Sequence, residues 1–394
     1  MSENIKEKKR KYSRTLEVKR EKFVGFMKRT VGDIIVLNEE NAKKMPKGHL
    51  LVCCTHRSHL DYIVLGLKIP EFGADQIRFA AGDNLIRLPF LGKLFRSVGA
   101  FSVHRGKASQ RSYLMQLAHK VKMIVANGDT VIVFPEAGRS YTGAMLDIKS
   151  GIISAGVLAQ KENPKQPIYY LPCAINYTKI PDLRAFELLL KGKKIRDASD
   201  NIFRKIFGSL LYYLADIRVF LGDWIFKNKT DIYLNVAKPV ALSEITDVEG
   251  KYRADGKTAI AANKDAINDC AVLIEKQFYA IFPILPINIA AYLFKKYGRK
   301  GLREDSIEKM LSKLKKMPLC LDTMAKLTVK EIQRTGISQL KENGATGGIY
   351  HVRLKRKNRL DYFAAFLESA IDYYEKQEKQ EKHKKQSEAK NGVS

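Results

Sequence analysis

His56 and Asp61 stand five residues apart in the run CCTHRSHLDY, directly after the apolar stretch Leu50 to Cys54. On a continuous helix five residues rotate by about 500°, so the two side chains would not share a face. They meet only if His56 lies on the turn before a helix and Asp61 in its first turn. Ser58 fits that layout, because Ser58-x-x-Asp61 has the spacing of an N-cap residue with an acidic partner three positions on. A carboxylate placed this way would fix the tautomer of the imidazole and stabilise the imidazolium, which is what a general base requires. The plainer alternative is that Asp61 only caps the helix and His56 is an ordinary loop histidine. His59 beside His56 brings no third ligand with it, so no metal site is expected.

Two further clusters follow apolar runs. GAFSVHRGK ends with His104, Arg105 and Lys107, and VFPEAGRSYTG carries Glu136, Gly138, Arg139 and Ser140. Strand-to-loop transitions are where α/β proteins place ligand sites. Arginine grips phosphate with two parallel N–H groups, and neighbouring glycines let backbone N–H groups approach its oxygens. Taken singly, each cluster also reads as a solvated basic loop, and Glu136 as the ion-pair partner of an arginine.

In combination these blocks resemble the glycerolipid acyltransferase family, which includes glycerol-3-phosphate and lysophosphatidate acyltransferases. HRSHLD resembles its first block, GAFSVHR the second, FPEAGRS the third, and YYLPCAINY, with Pro172, the fourth. The resemblance covers about residues 48–245. HRSHLDY, AAGDNL and EAGRSYTGAMLD look more like the glycerol-3-phosphate and dihydroxyacetone-phosphate branch, and Thr55 stands where lysophosphatidate enzymes usually have Asn. Departures are Ala137 in place of a usual glycine, together with Ser102, His104 and Tyr141. The resemblance implies His56 as base and Asp61 as its orienter. Arg105, Arg139 and Ser140 would hold the acceptor phosphate, supported by Ser58, Glu136, Gly138 and Pro172. It implies transfer of an acyl group from acyl-CoA or acyl-ACP to the sn-1 hydroxyl of glycerol 3-phosphate. Lysophosphatidate and dihydroxyacetone phosphate are the alternative acceptors. No metal and no bound cofactor are implied.

The elements that must position these residues are legible as alternating runs. Strands are expected at 49–54, 77–81, 99–103, 130–134, 168–175 and 231–237, with a helix between the third and fourth, where Leu114, Leu117, Val121 and Ile124 recur at helical spacing before Gly128. Strands separated by helices predict an α/β fold, a mixed central sheet with flanking helices. The expected organisation is a basic N-terminal helical segment over 1–47, the α/β domain over 48–250, a helical C-terminal region over 251–374 and a disordered charged tail over 375–394. Residues 196–227 are apolar and aromatic with basic flanks, and read either as a helical pair covering the sheet or as an element dipping into a bilayer.

Composition bounds the partners. The 394 residues carry 70 Lys and Arg against 42 Asp and Glu, a formal charge of +28, with 45% hydrophobic residues. That content excludes a disordered chain, and the charge suits an anionic membrane surface, a phosphorylated substrate or nucleic acid. Nucleic acid is not expected, because no helix-turn-helix, zinc or RNP-type signature is present. A non-catalytic lipid-binding protein is the other alternative. The 18 uncharged residues between Lys276 and Lys295 contain Pro283, Pro286 and Asn288, so a turn followed by a helix from Pro286 is expected there rather than a membrane span. Five cysteines without CxxC spacing read as reduced core thiols, and no signal peptide is seen. The expected location is cytoplasmic, peripheral on the cytoplasmic face of a membrane.

Overall fold

A computed structural model describes residues 32–58, 60–74, 76–82, 99–103, 111–180, 183, 186, 190, 230–245, 263–297, 302–320, 327–337, 343–346, 349–351 and 357–391. The basic lead-in, His59, His104, Arg105 and Lys107, and all of the apolar segment 196–227 lie outside the described residues. Two compact units divide the chain: one takes residues within 1–139, 147–181 and 209–281, the other residues within 140–146, 182–208 and 282–394.

The first unit is built on an eight-stranded mixed sheet. Its strands are β1 (Ile34–Leu37), β2 (Leu50–Cys54), β3 (Ile77–Gly82), β4 (Ala100–Val103), β5 (Thr130–Val133), β6 (Tyr169–Tyr177), β7 (Ile232–Val236) and β8 (Val240–Ala241). The spatial order is β1-β7-β6-β2-β5-β3-β4, with β8 paired to β6. β2 lies between β5 and β6, parallel to both. All five of its residues are buried, as the unbroken apolar run of a central parallel strand requires. Helices α1 (Asp61–Glu71), α2 (Arg111–Ala126) and α3 (Ser150–Glu162) connect the parallel strands.

Chain order fixes where a site can form. From β2 the chain crosses to β3 and β4, returns as β5 between β3 and β2, and then crosses to β6 on the far side of β2. Neighbouring β2 and β5 therefore lead away in opposite directions. The space outside their carboxyl ends is the general ligand position of open α/β sheets. Pro172 sits inside β6, opposite Cys53. Its carbonyl accepts from Ala237 N at 2.9 Å, between β7 and β8, so its missing N–H falls where that ladder is interrupted.

The sheet extends beyond the expected boundaries. β1 pairs parallel with β7, so residues before 48 belong to the α/β unit. Helix α4 (Lys264–Ile281) packs on α3 and β6, and the unit ends after Ile281 rather than at 250. The five cysteines are buried, and none is in a disulfide. Burial pushes the Cys54 thiol well above its ordinary range, and Cys173, Asp61 and Glu136 add to this against a hydrogen bond with Thr55. Burial and then Asp269 push Cys270 up to about 12.

In the second unit the chain turns after Ile281 and restarts as α5 (Pro286–Tyr297), with proline at the first helical position as expected. Buried Asn288 accepts from Leu285 N at 2.9 Å and donates to the Phe363 carbonyl at 2.9 Å, so both ends of its side-chain amide are hydrogen-bonded. Among the described residues no single helix is long and apolar enough to cross a membrane. Helix α6 (Glu304–Lys315) buries Ile307, Met310, Leu311 and Leu314 on one face. The region is not purely helical. Residues Leu302–Arg303, Asn343–Thr346 and Ile349–His351 form a small antiparallel sheet. Nor does the charged tail start at 375, since helix α7 runs over Lys357–Asn391. Glu375, Glu378 and Glu381 each precede a lysine by four positions, a spacing that supports a helix without any packing.

Candidate active site

His56 follows β2 on a short irregular stretch, and Asp61 opens α1, so the two meet across the turn as their spacing demands. His56 Nδ1 lies 2.8 Å from Asp61 Oδ2. A carboxylate can only accept, so Nδ1 carries the proton and Nε2 is the basic nitrogen. The same Oδ2 accepts from Arg57 N at 2.6 Å and Ser58 N at 2.9 Å. The other carboxylate oxygen accepts from the phenolic O–H of Tyr177. Asp61 is fully buried and His56 is 3% exposed. A buried carboxylate is tolerable only with such donors around it.

The expected capping box forms by half. Asp61 reaches back to the Ser58 backbone N–H, while the Ser58 hydroxyl accepts from Leu60 N at 3.2 Å rather than from Asp61 N. The helix begins at Asp61 with Leu60 at the N-cap position, two residues later than an N-cap at Ser58 requires.

Further contacts fix the imidazole. Phe134, the residue after β5, stacks on it with centroids 4.1 Å apart and planes 26° apart. Tyr62 meets its edge at 5.2 Å. Glu136 Oε1 accepts the His56 backbone N–H at 3.0 Å, tying the loop after β5 to the loop after β2. Thr55 Oγ1 accepts from Ile175 N at 3.1 Å, which ties the same turn to β6. The His56 turn is therefore held from all three central strands.

The remaining candidates are placed as follows. Arg139 is buried in the first unit, four residues after Pro135 at the exit of β5. Ala137 adopts φ +57°, a left-handed conformation that costs alanine about 1–2 kcal/mol and glycine little. The alanine that departs from the family block is thus the residue that bears the turn. At Gly138 an added Cβ would meet nothing within 4 Å, so there is open space beside the backbone. Ser140 falls in the second unit, where its hydroxyl donates to the Ala144 carbonyl at 2.6 Å and accepts from Gly143 N at 3.0 Å. That proton is committed within its own loop. Pro172 lies within β6, opposite Cys53 of β2. Among the described residues no group of three or more His, Cys, Asp or Glu side chains converges as metal ligands do.

Sequence reading missed Phe134, Tyr62 and Tyr177 as parts of the site. The signal for Tyr177 was its place. It is a polar-tipped residue at the carboxyl end of a strand that flanks β2.

Residues 33–176 match the family model described as Acyltransferase. The chain is 26% identical over 313 residues to a glycerol-3-phosphate acyltransferase of Xylella fastidiosa (strain M23), covering 78% of this chain and 34% of that protein. It is 27% identical over 297 residues to one of Xanthomonas axonopodis pv. citri (strain 306), covering 73% of this chain and 32% of that protein. The chain thus spans about a third of the length of the curated relatives it matches. A solved 1-acyl-sn-glycerophosphate acyltransferase from Thermotoga maritima overlays with a TM-score of 0.36 at 18% identity, over 68% of this chain and 82% of that one.

Proposed function

We propose that the protein, whose residues 33–176 match the family model described as Acyltransferase, transfers a fatty acyl group from an acyl thioester to the sn-1 hydroxyl of glycerol 3-phosphate. The observation that carries this reading is the buried His56–Asp61 pair at the carboxyl end of the central strand. His56 Nε2 takes the proton of the acceptor hydroxyl as the oxygen attacks the thioester carbonyl carbon. The C–O bond forms, the tetrahedral intermediate collapses, and the C–S bond breaks. The leaving thiolate takes the proton back from the imidazolium, so the base is regenerated with Asp61 ionised throughout. No covalent acyl-enzyme is required, because the hydroxyl attacks directly. Arg139 and Arg105 supply the charge that holds the acceptor phosphate. The donor is acyl-CoA or acyl-ACP, both anionic, and the charge of +28 suits donor, acceptor and an anionic membrane surface alike.

The test is incubation of the purified chain with radiolabelled acyl thioester and glycerol 3-phosphate, dihydroxyacetone phosphate or lysophosphatidate in parallel, followed by phase extraction. Label should enter lipid fastest with glycerol 3-phosphate. Preference for lysophosphatidate would reassign the acceptor, and no transfer to any of the three would sink the reading. In the same assay Arg139→Ala is expected to raise the acceptor KM about tenfold or more with a smaller effect on the donor KM, since one charge-assisted contact to phosphate is lost. Equal effects on both substrates would remove Arg139 from the acceptor site.

Residence on the cytoplasmic face of a membrane, held peripherally by basic charge, belongs to the same proposal. Residues 1–30 carry 11 Lys and Arg against 4 Asp and Glu. Each basic residue near an anionic surface contributes about 1 kcal/mol. Anionic vesicles at low salt should float the protein, and it should be released in part as salt rises. Protein that stays in the aqueous layer at low salt would rule this part out.

A further inference from the structure

Asp61 is held from two sides. Oδ2 takes its three donors, His56 Nδ1, Arg57 N and Ser58 N, from the loop that Asp61 itself closes. Oδ1 takes its donor from the phenol of Tyr177, 116 residues along the chain at the end of β6. The β2–β6 register, with Cys54 opposite Cys173, carries Tyr177 past the end of β2 to the level of the catalytic turn. Tyr177 is fully buried, and its backbone stays in the ladder opposite Ile232, so the ring is anchored on a rigid element.

Resting on the acyl-transfer reading above, we infer that Tyr177 is a positioning residue for the base. Its O–H fixes the plane of the Asp61 carboxylate and draws off part of the negative charge that the imidazole feels. Local donors grip one oxygen only, and a carboxylate gripped at one oxygen can still swing about it. The phenol removes that freedom from the opposite side. A hydrogen bond to an ionised group is stronger than one between neutral groups, so its loss is felt at the next link of the chain, the Nδ1–H···Oδ2 contact.

Phenylalanine at 177 keeps the ring and deletes only the donor. The full negative charge of Asp61 then bears on His56. The imidazolium is stabilised, and the base is protonated at higher pH than before. Among the described residues, the titratable and charged groups beside His56 include Asp61 and Tyr62 from α1, Glu136 from the loop after β5, and Cys54 and Arg57 near it in the chain. All of these are common to both proteins, so the difference between the two pH profiles isolates the phenol.

The experiment compares full-length wild type and Tyr177→Phe in two ways. The first is the pH profile of kcat/KM for acyl transfer from acyl-CoA to glycerol 3-phosphate. The second is a ¹⁵N titration of the His56 imidazole, which needs no turnover. In Tyr177→Phe the acidic limb and the imidazole titration are both expected to move up by about half a unit to one unit. kcat at neutral pH should fall about tenfold, with the acceptor KM within about twofold of wild type. Should Tyr177→Phe fold poorly, 3-fluorotyrosine at position 177, a stronger donor, is expected to move the imidazole titration down instead. Superimposed titrations, with or without a loss of stability or rate, would reduce Tyr177 to a packing role and overturn the inference. A wild type that is silent toward all three acceptors while the imidazole titration still shifts would sink the acyl-transfer reading and leave the Tyr177–Asp61–His56 coupling standing.

Discussion

His56→Ala is expected to lower kcat about 100-fold or more, the ordinary contribution of a positioned general base. The acceptor KM should change little, because in the arrangement described the imidazole meets the acceptor as a proton carrier and not as a phosphate ligand. Deleting the ring also removes the partner stacked on Phe134 at 4.1 Å and leaves space beside Tyr62, so some loss of stability accompanies the kinetic effect. The two separate on temperature. Lost stability shows as a lower Tm, whereas lost base chemistry persists well below it, where the variant is fully folded. His56→Gln, which fills more of the space and cannot take the proton, should be equally slow and more stable. Near-normal turnover in folded His56→Ala protein would remove His56 from the chemistry.

Asp61→Asn is the second large effect, and here the geometry changes the reason for it. From spacing alone, an amide at 61 is expected to present its NH2 to His56 and force the wrong tautomer, a loss that can reach about 10⁴-fold. In the structure two backbone N–H groups, of Arg57 and Ser58, point at the same oxygen as His56 Nδ1. An NH2 in that place would face three donors. The amide oxygen must take it, with the NH2 turned to Tyr177, whose hydroxyl can accept as readily as donate. The tautomer survives and only the negative charge is lost. The expected fall is therefore about 100-fold, through a less stable imidazolium. ¹⁵N spectra of the imidazole should still show the proton on Nδ1. A proton on Nε2 in Asp61→Asn would mean that the amide has flipped, and the loss should then approach the larger figure.

These two cases show which parts of the site the sequence carries. The pairing of His56 with Asp61 depends on a turn and the first residues of a helix, all within six positions, and local spacing suffices to see it. The expected strands around it are also found, because buried parallel strands read as unbroken apolar runs such as Leu50 to Cys54 or Thr130 to Val133. What stayed hidden depends on register between distant segments. Glu136 reaches the His56 backbone, and Tyr177 reaches Asp61, only because β5 and β6 flank β2. No single stretch encodes that order. β1 was hidden because its four residues are half-buried and follow a run dominated by charge. The small sheet was hidden because Asn343–Thr346, reading NGAT, has neither β-branched alternation nor an apolar face. Helix α7 was hidden because a solvated Glu/Lys helix has the composition of a disordered tail, and only the four-residue spacing of its charges distinguishes the two.

A protein that handles acyl thioesters faces a hazard from its own thiols, since a thiolate exchanges with a thioester and would carry off the acyl group in place of the acceptor hydroxyl. Cys54 stands two residues from His56, the last residue of β2. Its burial, reinforced by the neighbouring carboxylates of Asp61 and Glu136, holds it as a neutral thiol far from its ionisation range, and Cys53 and Cys173 are held the same way by burial. The Asp61 carboxylate that would orient the base thus adds to the burial that keeps the nearest thiol neutral. Burial thus limits both the ionisation of these thiols and their access to a thioester.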